Sequence, residues 1–148
     1  MRVHLVDGTY ELFRQHFGTA SRHRDGHPHA AAAGVVASTL ALIEDGATHV
    51  GVASDHVIES FRNALYPGYK TGEAMDPDIN EPIPVMERAL AAAGFTVRPS
   101  IEFEADDALG AAARIAGADQ RVEQVLIVTA DKDLGQCVEG DRIVQFDR

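Results

Sequence analysis

Glu104-Ala105-Asp106-Asp107 places three carboxylates in four residues at the head of an apolar, alanine-rich run, Ala108 to Ala116. The run has the length and composition of a helix, and Gly117 closes it. Acids in a first helical turn are favoured by the positive end of the helix dipole. One or two are enough for that, so a third needs another reason. Acids recur where strands should end. Asp7 follows Val3-His4-Leu5-Val6, Asp55 follows Thr48 to Ala53 through Ser54, and Asp131 and Asp133 follow Gln124 to Ala130. These runs are short and apolar, with little polar alternation, as strands covered on both faces are.

Helical patterns fill the gaps between them. The spacing predicts a helix over 10–17, capped by Thr9, with Leu12 and Phe13 inward and Gly18 as its stop. A second helix is predicted over 30–43, where Val36, Leu40 and Ile43 recur at helical spacing, and a third over 85–93, ended by Gly94. Phe95-Thr96-Val97 reads as a strand that Pro99 ends. A short helix is expected over 131–138 and a last strand over 142–146. The segments 19–29 and 71–84 are polar or rich in proline and acids, and read as loops. Strands alternating with helices define an α/β chain with a central, mostly parallel sheet of about five strands and right-handed crossovers. Ligands of such sheets bind beyond the carboxyl ends of the strands. The seven acids Asp7, Asp55, Glu104, Asp106, Asp107, Asp131 and Asp133 can all meet there.

Carboxylates that meet repel one another unless a cation is shared among them. Oxygen-only donors suit hard cations, Mg²⁺ or Mn²⁺, and no Cys/His spacing for zinc is present. Two such ions about 4 Å apart clamp the attacking and leaving oxygens of a phosphodiester displacement. Glu104 and Asp107 are three apart and share a helix face, whereas Asp106 points elsewhere; a Glu104 lying ahead of the helix would be free to join Asp106. Each acid alone has an ordinary structural reading. Asp7-Gly8 is a common turn pair, Asp55 can cap the next segment, Asp131 can be an N-cap with Asp133 in the first turn, and Glu104 to Asp107 can be a solvated helix start. Their joint placement at four strand ends favours a cluster. Arg62 and Lys70 are the candidate phosphate ligands. Tyr69 offers a ring for a base, while Phe61 and Tyr66 are expected in the core. Arg14 either reaches phosphate or covers its own helix. Arg22, His23, Arg24, His27 and His29 make a basic loop with no fourth metal ligand beside the histidines.

The formal net charge of −10 argues against a polyanion partner, but without the seven candidate acids it would be −3, and divalent cations would cancel much of the local field. A single cysteine, Cys137, permits no internal disulfide and is expected to be a buried thiol in a cytoplasmic protein. With 148 residues the chain has the length of one domain. No apolar run reaches a membrane span, and the acidic start is no signal peptide.

Val6-Asp7-Gly8-Thr9, the segment from Phe61-Arg62 to Tyr69-Lys70, Glu104-Ala105-Asp106-Asp107 and Thr129-Ala130-Asp131-Lys132-Asp133 occur in an order that resembles the 5′-nuclease (flap endonuclease) superfamily. The likeness is greatest to the 5′–3′ exonuclease domain attached to bacterial DNA polymerase I, and it covers nearly the whole chain. It implies a PIN-like three-layer domain over residues 1–148. It also implies a 5′–3′ exonuclease or flap endonuclease that hydrolyses DNA at 5′ ends or flaps with two divalent metals, in replication or repair. The resemblance makes the seven acids the metal site, puts Arg14 and Lys70 near the scissile phosphate, and gives Asp7, Lys70, Asp107 and Asp131 the catalytic roles. Two departures stand out. Glu73 occupies a position where the family pattern has arginine, and no helix–turn–helix module follows, so duplex contacts are expected from such a module elsewhere or from a partner protein. The competing readings are a PIN-type ribonuclease and a catalytically weak domain that binds nucleic acid or protein.

Overall fold

The computed structural model describes residues 1–20, 27, 29–70 and 81–148, with backbone alone at 19 and 20. The basic-loop residues Arg22, His23 and Arg24, and Glu73 with most of the loop expected over 71–84, lie outside the described residues. The chain runs β1 (Arg2–Asp7), α1 (Gly8–Ala20), α2 (Ala30–Glu44), β2 (His49–Asp55), α3 (Phe61–Leu65), α4 (Ile83–Ala92), β3 (Thr96–Ser100), α5 (Ala105–Ala118), β4 (Gln124–Val128), a 3-10 helix (Lys132–Cys137) and β5 (Ile143–Phe146). The five strands form one sheet in the order β3-β2-β1-β4-β5, and every pairing is parallel.

Strand alternation sorts the core into two layers. Val6, Val52 and Val128 face one side, where they pack with Leu12 of α1, Val35 and Leu42 of α2, and Met86 and Leu90 of α4. Leu5, Ala53 and Ile127 face the other, against Leu109 and Ala113 of α5, with Leu134 of the 3-10 helix. The result is the expected three-layer α/β domain. Because β1 is central, the order of strands reverses between β1 and β4, and the crevice of such a sheet opens at that point.

Several local expectations change. Helix α1 begins directly after β1 because Gly8 has no side chain: a Cβ there would lie 2.9 Å from Val52 Cγ1 and 3.0 Å from the Ala53 carbonyl oxygen. Gly8 therefore serves close approach of helix and strand, and its pairing with Asp7 is no hairpin-type turn. The helix runs through Gly18, since one glycine costs only about 1 kcal/mol in a helix. Leu12 is fully buried, but Phe13 only partly. In α2 the buried residues are Ala31, Ala32, Val35, Thr39 and Leu42, while Leu40 and Ile43 are exposed. That helix is apolar nearly all round, so its pattern did not fix the inner face. Strand β3 runs past Pro99 to Ser100 because it is an edge strand, where a missing N–H costs no ladder bond. Strand β4 ends at Val128 instead of Ala130, and the short helix after it is a 3-10 turn. Phe61 and Tyr66, expected in the core, are exposed; Phe61 packs instead on Phe103, ring centroids 5.5 Å apart. Cys137 is half-buried rather than buried.

Candidate functional site

Asp7 ends β1 at the crevice and is buried. It, not Thr9, caps α1: its Oδ1 accepts the Tyr10 N–H at 2.9 Å, and its Oδ2 accepts the Thr129 hydroxyl at 3.1 Å. Thr9 has a different task, its Oγ1 accepting the Asp55 N–H at 2.8 Å. Register pairs Asp7 with Ala53, so Asp55 stands two residues further along β2 on the same side of the sheet. Asp55 Oδ1 accepts the Ala105 N–H at 2.8 Å, tying the strand end to the first turn of α5. The Asp55 carboxylate thereby ties the β2 end to α5, the Asp7 carboxylate ties the β1 end to the segment after β4, and the Thr9 hydroxyl links α1 to β2.

Glu104 is the N-cap residue of α5, ahead of the helix proper. Its own N–H donates to Asp107 Oδ2 at 3.0 Å, the backward half of a capping box. The Ser60 hydroxyl donates to Glu104 Oε1 at 2.8 Å. Arg62 grips Asp107 with two parallel bonds of 2.8 Å and reaches Glu104 Oε1 at 3.1 Å. The fork geometry and full charge make this the strong kind of hydrogen bond. It holds the Asp107 carboxyl below the usual carboxylate range, chiefly through the Arg62 bonds. The Arg62 guanidinium also stacks on Phe61, 4.7 Å from the ring centroid. Glu104 and Asp107 thus share one face, as their spacing implied, and both bond Arg62, which the sequence had offered as a phosphate ligand.

Asp106 faces the other way. Burial pushes its carboxyl up to about 7, and Asp7, Asp131, Asp55 and Glu104 add repulsion in that order. Asp7 is likewise pushed up to about 6, first by burial and then by Asp55 and Asp131, against the pull of the Tyr10 and Thr129 bonds. Both carboxyls hold their protons more tightly than a free carboxyl does, first because they are buried and then because neighbouring acids add repulsion. Lys70 supplies some positive charge: its Nζ lies 3.4 Å from Asp55 Oδ2 and 3.7 Å from Glu104 Oε2. Burial works to lower the Lys70 ammonium, but Asp55 and Glu104 outweigh it and hold its pKa raised.

Asp131 is less enclosed. Its Oδ1 accepts the Asp133 N–H at 2.9 Å, so it does cap the 3-10 turn, and its own N–H donates to Thr129 Oγ1 at 3.2 Å. Asp133 sits beyond it and is exposed. An open groove of about 1090 Å³ is lined by Arg62, Tyr69, Lys70, Asp106, Asp131 and Asp133, among others. Arg14 lies apart from these contacts. Its Nη2 and Nε bond the buried Glu11 at 2.7 and 3.1 Å, and Gln15 and Ser38 complete the carboxylate's partners.

The structure therefore sets Asp7, Asp55, Asp106 and Asp131 within electrostatic reach of one another against their mutual repulsion, brings Glu104 to Lys70 beside Asp55, and leaves Asp107 with Arg62 and Asp133 at the rim. Among the described residues no three acidic, histidine or cysteine side chains form a ready-made cage for an ion. The chemistry of the donor set nevertheless fits one. It is all oxygen, it is in electrostatic excess, and a hard divalent cation relieves that excess. Ser60 was not singled out in sequence; Thr9 was expected to cap the first helix and Thr129 entered only as part of the segment before Asp131, so the bonds of these three hydroxyls to Asp55, Glu104 and Asp7 were not foreseen.

Taken together, fold and site define a parallel α/β domain with an acid-lined crevice at its switch point. The chain belongs to the 5′-3′ exonuclease, N-terminal resolvase-like domain family, whose model matches residues 2–147. It is 32% identical over 149 residues to DNA polymerase I of Mycobacterium leprae (strain TN), covering 97% of this chain and 16% of the polymerase. It is 34% identical over 147 residues to the thermostable DNA polymerase I of Thermus aquaticus, covering 96% of this chain and 17% of that protein. The chain thus spans about a sixth of the length of these relatives. The T5 D15 protein, co-crystallised with metal ions, superposes with a TM-score of 0.76 at 18% identity, covering 99% of this chain and 55% of that one. The bacteriophage T5 D15 flap endonuclease in a pseudo-enzyme-product complex with DNA and metal ions gives 0.73 at 19% identity, with the same coverage. The fold is that of the T5 exonuclease.

Proposed function

We propose that this domain hydrolyses DNA phosphodiesters near 5′ ends or flaps with two divalent cations, Mg²⁺ or Mn²⁺, held at the carboxyl edge of the sheet. The observation that carries this reading is the convergence of Asp7, Asp55, Asp106 and Asp131, with Asp7 and Asp106 driven toward neutrality at pKa values of about 6 and about 7. Family membership and the metal-bound phage relatives support it. Asp7, Asp55, Glu104, Asp106 and Asp131 would hold the ions, with Asp133 at the rim. Asp107 contributes through its grip on Arg62, which fixes the start of α5. Bound cations of this type polarise the phosphate and supply a nucleophile from water.

The chain's own residues bind and orient the substrate. Lys70, kept protonated by Asp55 and Glu104, would be free to meet a phosphate oxygen where those acids held cations instead. Tyr69, on the groove wall beside it, offers a ring to a base. Arg62 has a partly exposed edge for the backbone of the strand, and Arg14, presented by Glu11, stands ready for a phosphate further along. On this reading the domain acts in DNA replication or repair in the cytoplasm, and its likeness to DNA polymerase I supports the first part of that assignment.

The test is cleavage of a 5′-labelled flap duplex by the full chain with Mg²⁺ or Mn²⁺, alongside single-stranded RNA at matched salt. Metal-dependent cut DNA, lost in Asp106→Ala and in Lys70→Ala, is expected. Faster cutting of RNA would favour a ribonuclease. Metal-dependent retention of DNA without cutting would leave a binding domain in place of an enzyme.

A further inference from the structure

A buried carboxylate lies directly behind Asp55, and the site described above does not use it. Glu87 of α4 is buried among Met86, Leu90 and Ile83. A lone carboxylate there would be costly, so its partners matter. Its Oε1 accepts the hydroxyl of Ser54 at 2.6 Å, and its Oε2 meets His56 Nδ1 at 2.7 Å. Ser54 is fully buried, whereas His56 keeps part of its ring in solvent. One carboxylate thus holds the residues immediately before and after Asp55.

Strand geometry makes this more than a local contact. Successive side chains alternate across the sheet, so Ser54 points toward α4 while Asp55 points toward α5. The Asp55 main chain is held by Thr9, and its side chain by Ala105 and Lys70. Beyond Asp55 the regular ladder ends and the chain turns, with the His56 N–H donating to the Ser54 carbonyl at 3.1 Å. Past that point a single backbone bond still joins the segment to β3, from the Val57 N–H to the Ser100 carbonyl at 3.1 Å, and Glu87 adds two hydrogen bonds from the opposite face.

We propose that Glu87 is a positioning residue for Asp55: through Ser54 and His56 it fixes the direction in which the β2 carboxylate enters the ion site. This rests on the reading of Asp55 as an ion ligand. Residues that orient a ligating carboxylate typically change metal affinity about 10- to 100-fold when removed. Glu87→Ala should therefore weaken Mn²⁺ binding to the full chain, measured by titration calorimetry, by about tenfold. Glu87→Gln should recover most of the affinity, because its amide oxygen can accept from Ser54 and its amide nitrogen can donate to His56 Nδ1 in the tautomer that leaves that nitrogen bare. Leu90→Ala, on the same helix and fully buried, is the control for general loosening: it should lower the melting temperature and leave Mn²⁺ affinity unchanged. If Glu87→Ala does not fold, Ser54→Ala combined with His56→Ala removes the same two anchors and carries the same expectation. Unchanged affinity in these variants, or an equal loss in Leu90→Ala, overturns the assignment. A wild-type chain that binds no Mn²⁺ overturns the ion-site reading and this assignment together.

Discussion

Replacing Asp7 by asparagine should stabilise the cation-free domain at neutral pH and leave it unaffected in acid. Asp7 is buried, and its carboxyl rises from 3.8 to about 6 on folding. A pKa raised in the folded state means that the native protein holds the proton more tightly than the unfolded chain. Stability is then greatest below pH 4 and falls as pH rises through 6, where the native carboxyl must ionise. The full penalty is ~3 kcal/mol, at 1.36 kcal/mol for each pH unit of displacement. Asparagine keeps an oxygen for the Tyr10 N–H and turns an amide toward Thr129, whose hydroxyl reorients to accept. Giving up a bond to a charged acceptor offsets ~1 kcal/mol of the gain. The net gain of ~2 kcal/mol at pH 8 corresponds to about 4–8 °C in melting temperature for a chain of this size. The assay is a pair of thermal melts in chelator, wild type against Asp7→Asn, at pH 4 and pH 8. A variant that melts lower than wild type at pH 8, or that differs equally at both pH values, refutes the argument. With Mn²⁺ added at pH 8 the order should reverse, because only the wild type keeps its full donor set.

Three further outcomes follow from the same contacts. Arg62→Ala strands Asp107 and the buried Glu104 without their shared cation and should cost ~2–3 kcal/mol by chemical denaturation; Arg62→Lys should recover little, since an ammonium cannot reproduce the two-pronged bond. Gly8→Ala forces a methyl to 2.9 Å from Val52 Cγ1 and 3.0 Å from a backbone oxygen, and should lower stability by ~1–3 kcal/mol in the same assay. Burial pushes the Glu11 carboxyl up, but Arg14, Ser38 and Gln15 together hold its pKa below the usual value. Its contribution is therefore present above the unfolded pKa and is lost as pH falls through the folded one, so Glu11→Gln should flatten the acid limb of the stability-against-pH curve below about pH 4.5.

What could be read from sequence was whatever depends on burial on both faces. The runs at Val3–Val6 and Val125–Val128 carry no polar alternation, which identifies central parallel strands and places Asp7 and Asp131 at their ends. The spacing set Glu104 and Asp107 on one face and Asp106 on another, but all three were expected beside cations; that Arg62 takes the first two while Asp106 meets the charge of Asp7 and Asp131 was not legible. Alanine-rich α2 was another matter. A helix that is apolar all round offers no stripe, and Leu40 and Ile43 ended on the outside. Pro99 reads as a strand breaker only when the strand has neighbours on both sides, and edge position is a property of the sheet order. Pairings across long separations were equally hidden. Nothing near Arg62 in sequence indicates that Asp107, 45 residues away, will take both of its nitrogens. Ser54, His56 and Glu87 look unremarkable until α4 is laid against β2.

The central claim is that the acids at the sheet edge exist to hold divalent cations. Its most direct test is the Mn²⁺ binding isotherm of the full chain at pH 7.5, compared with that of Asp106→Asn. The wild type should bind two ions, with heat and stability gained together, and Asp106→Asn should lose at least one of them while remaining folded and at least as stable as the wild type in chelator. Binding that is absent in the wild type, or identical in the two proteins, would contradict the account.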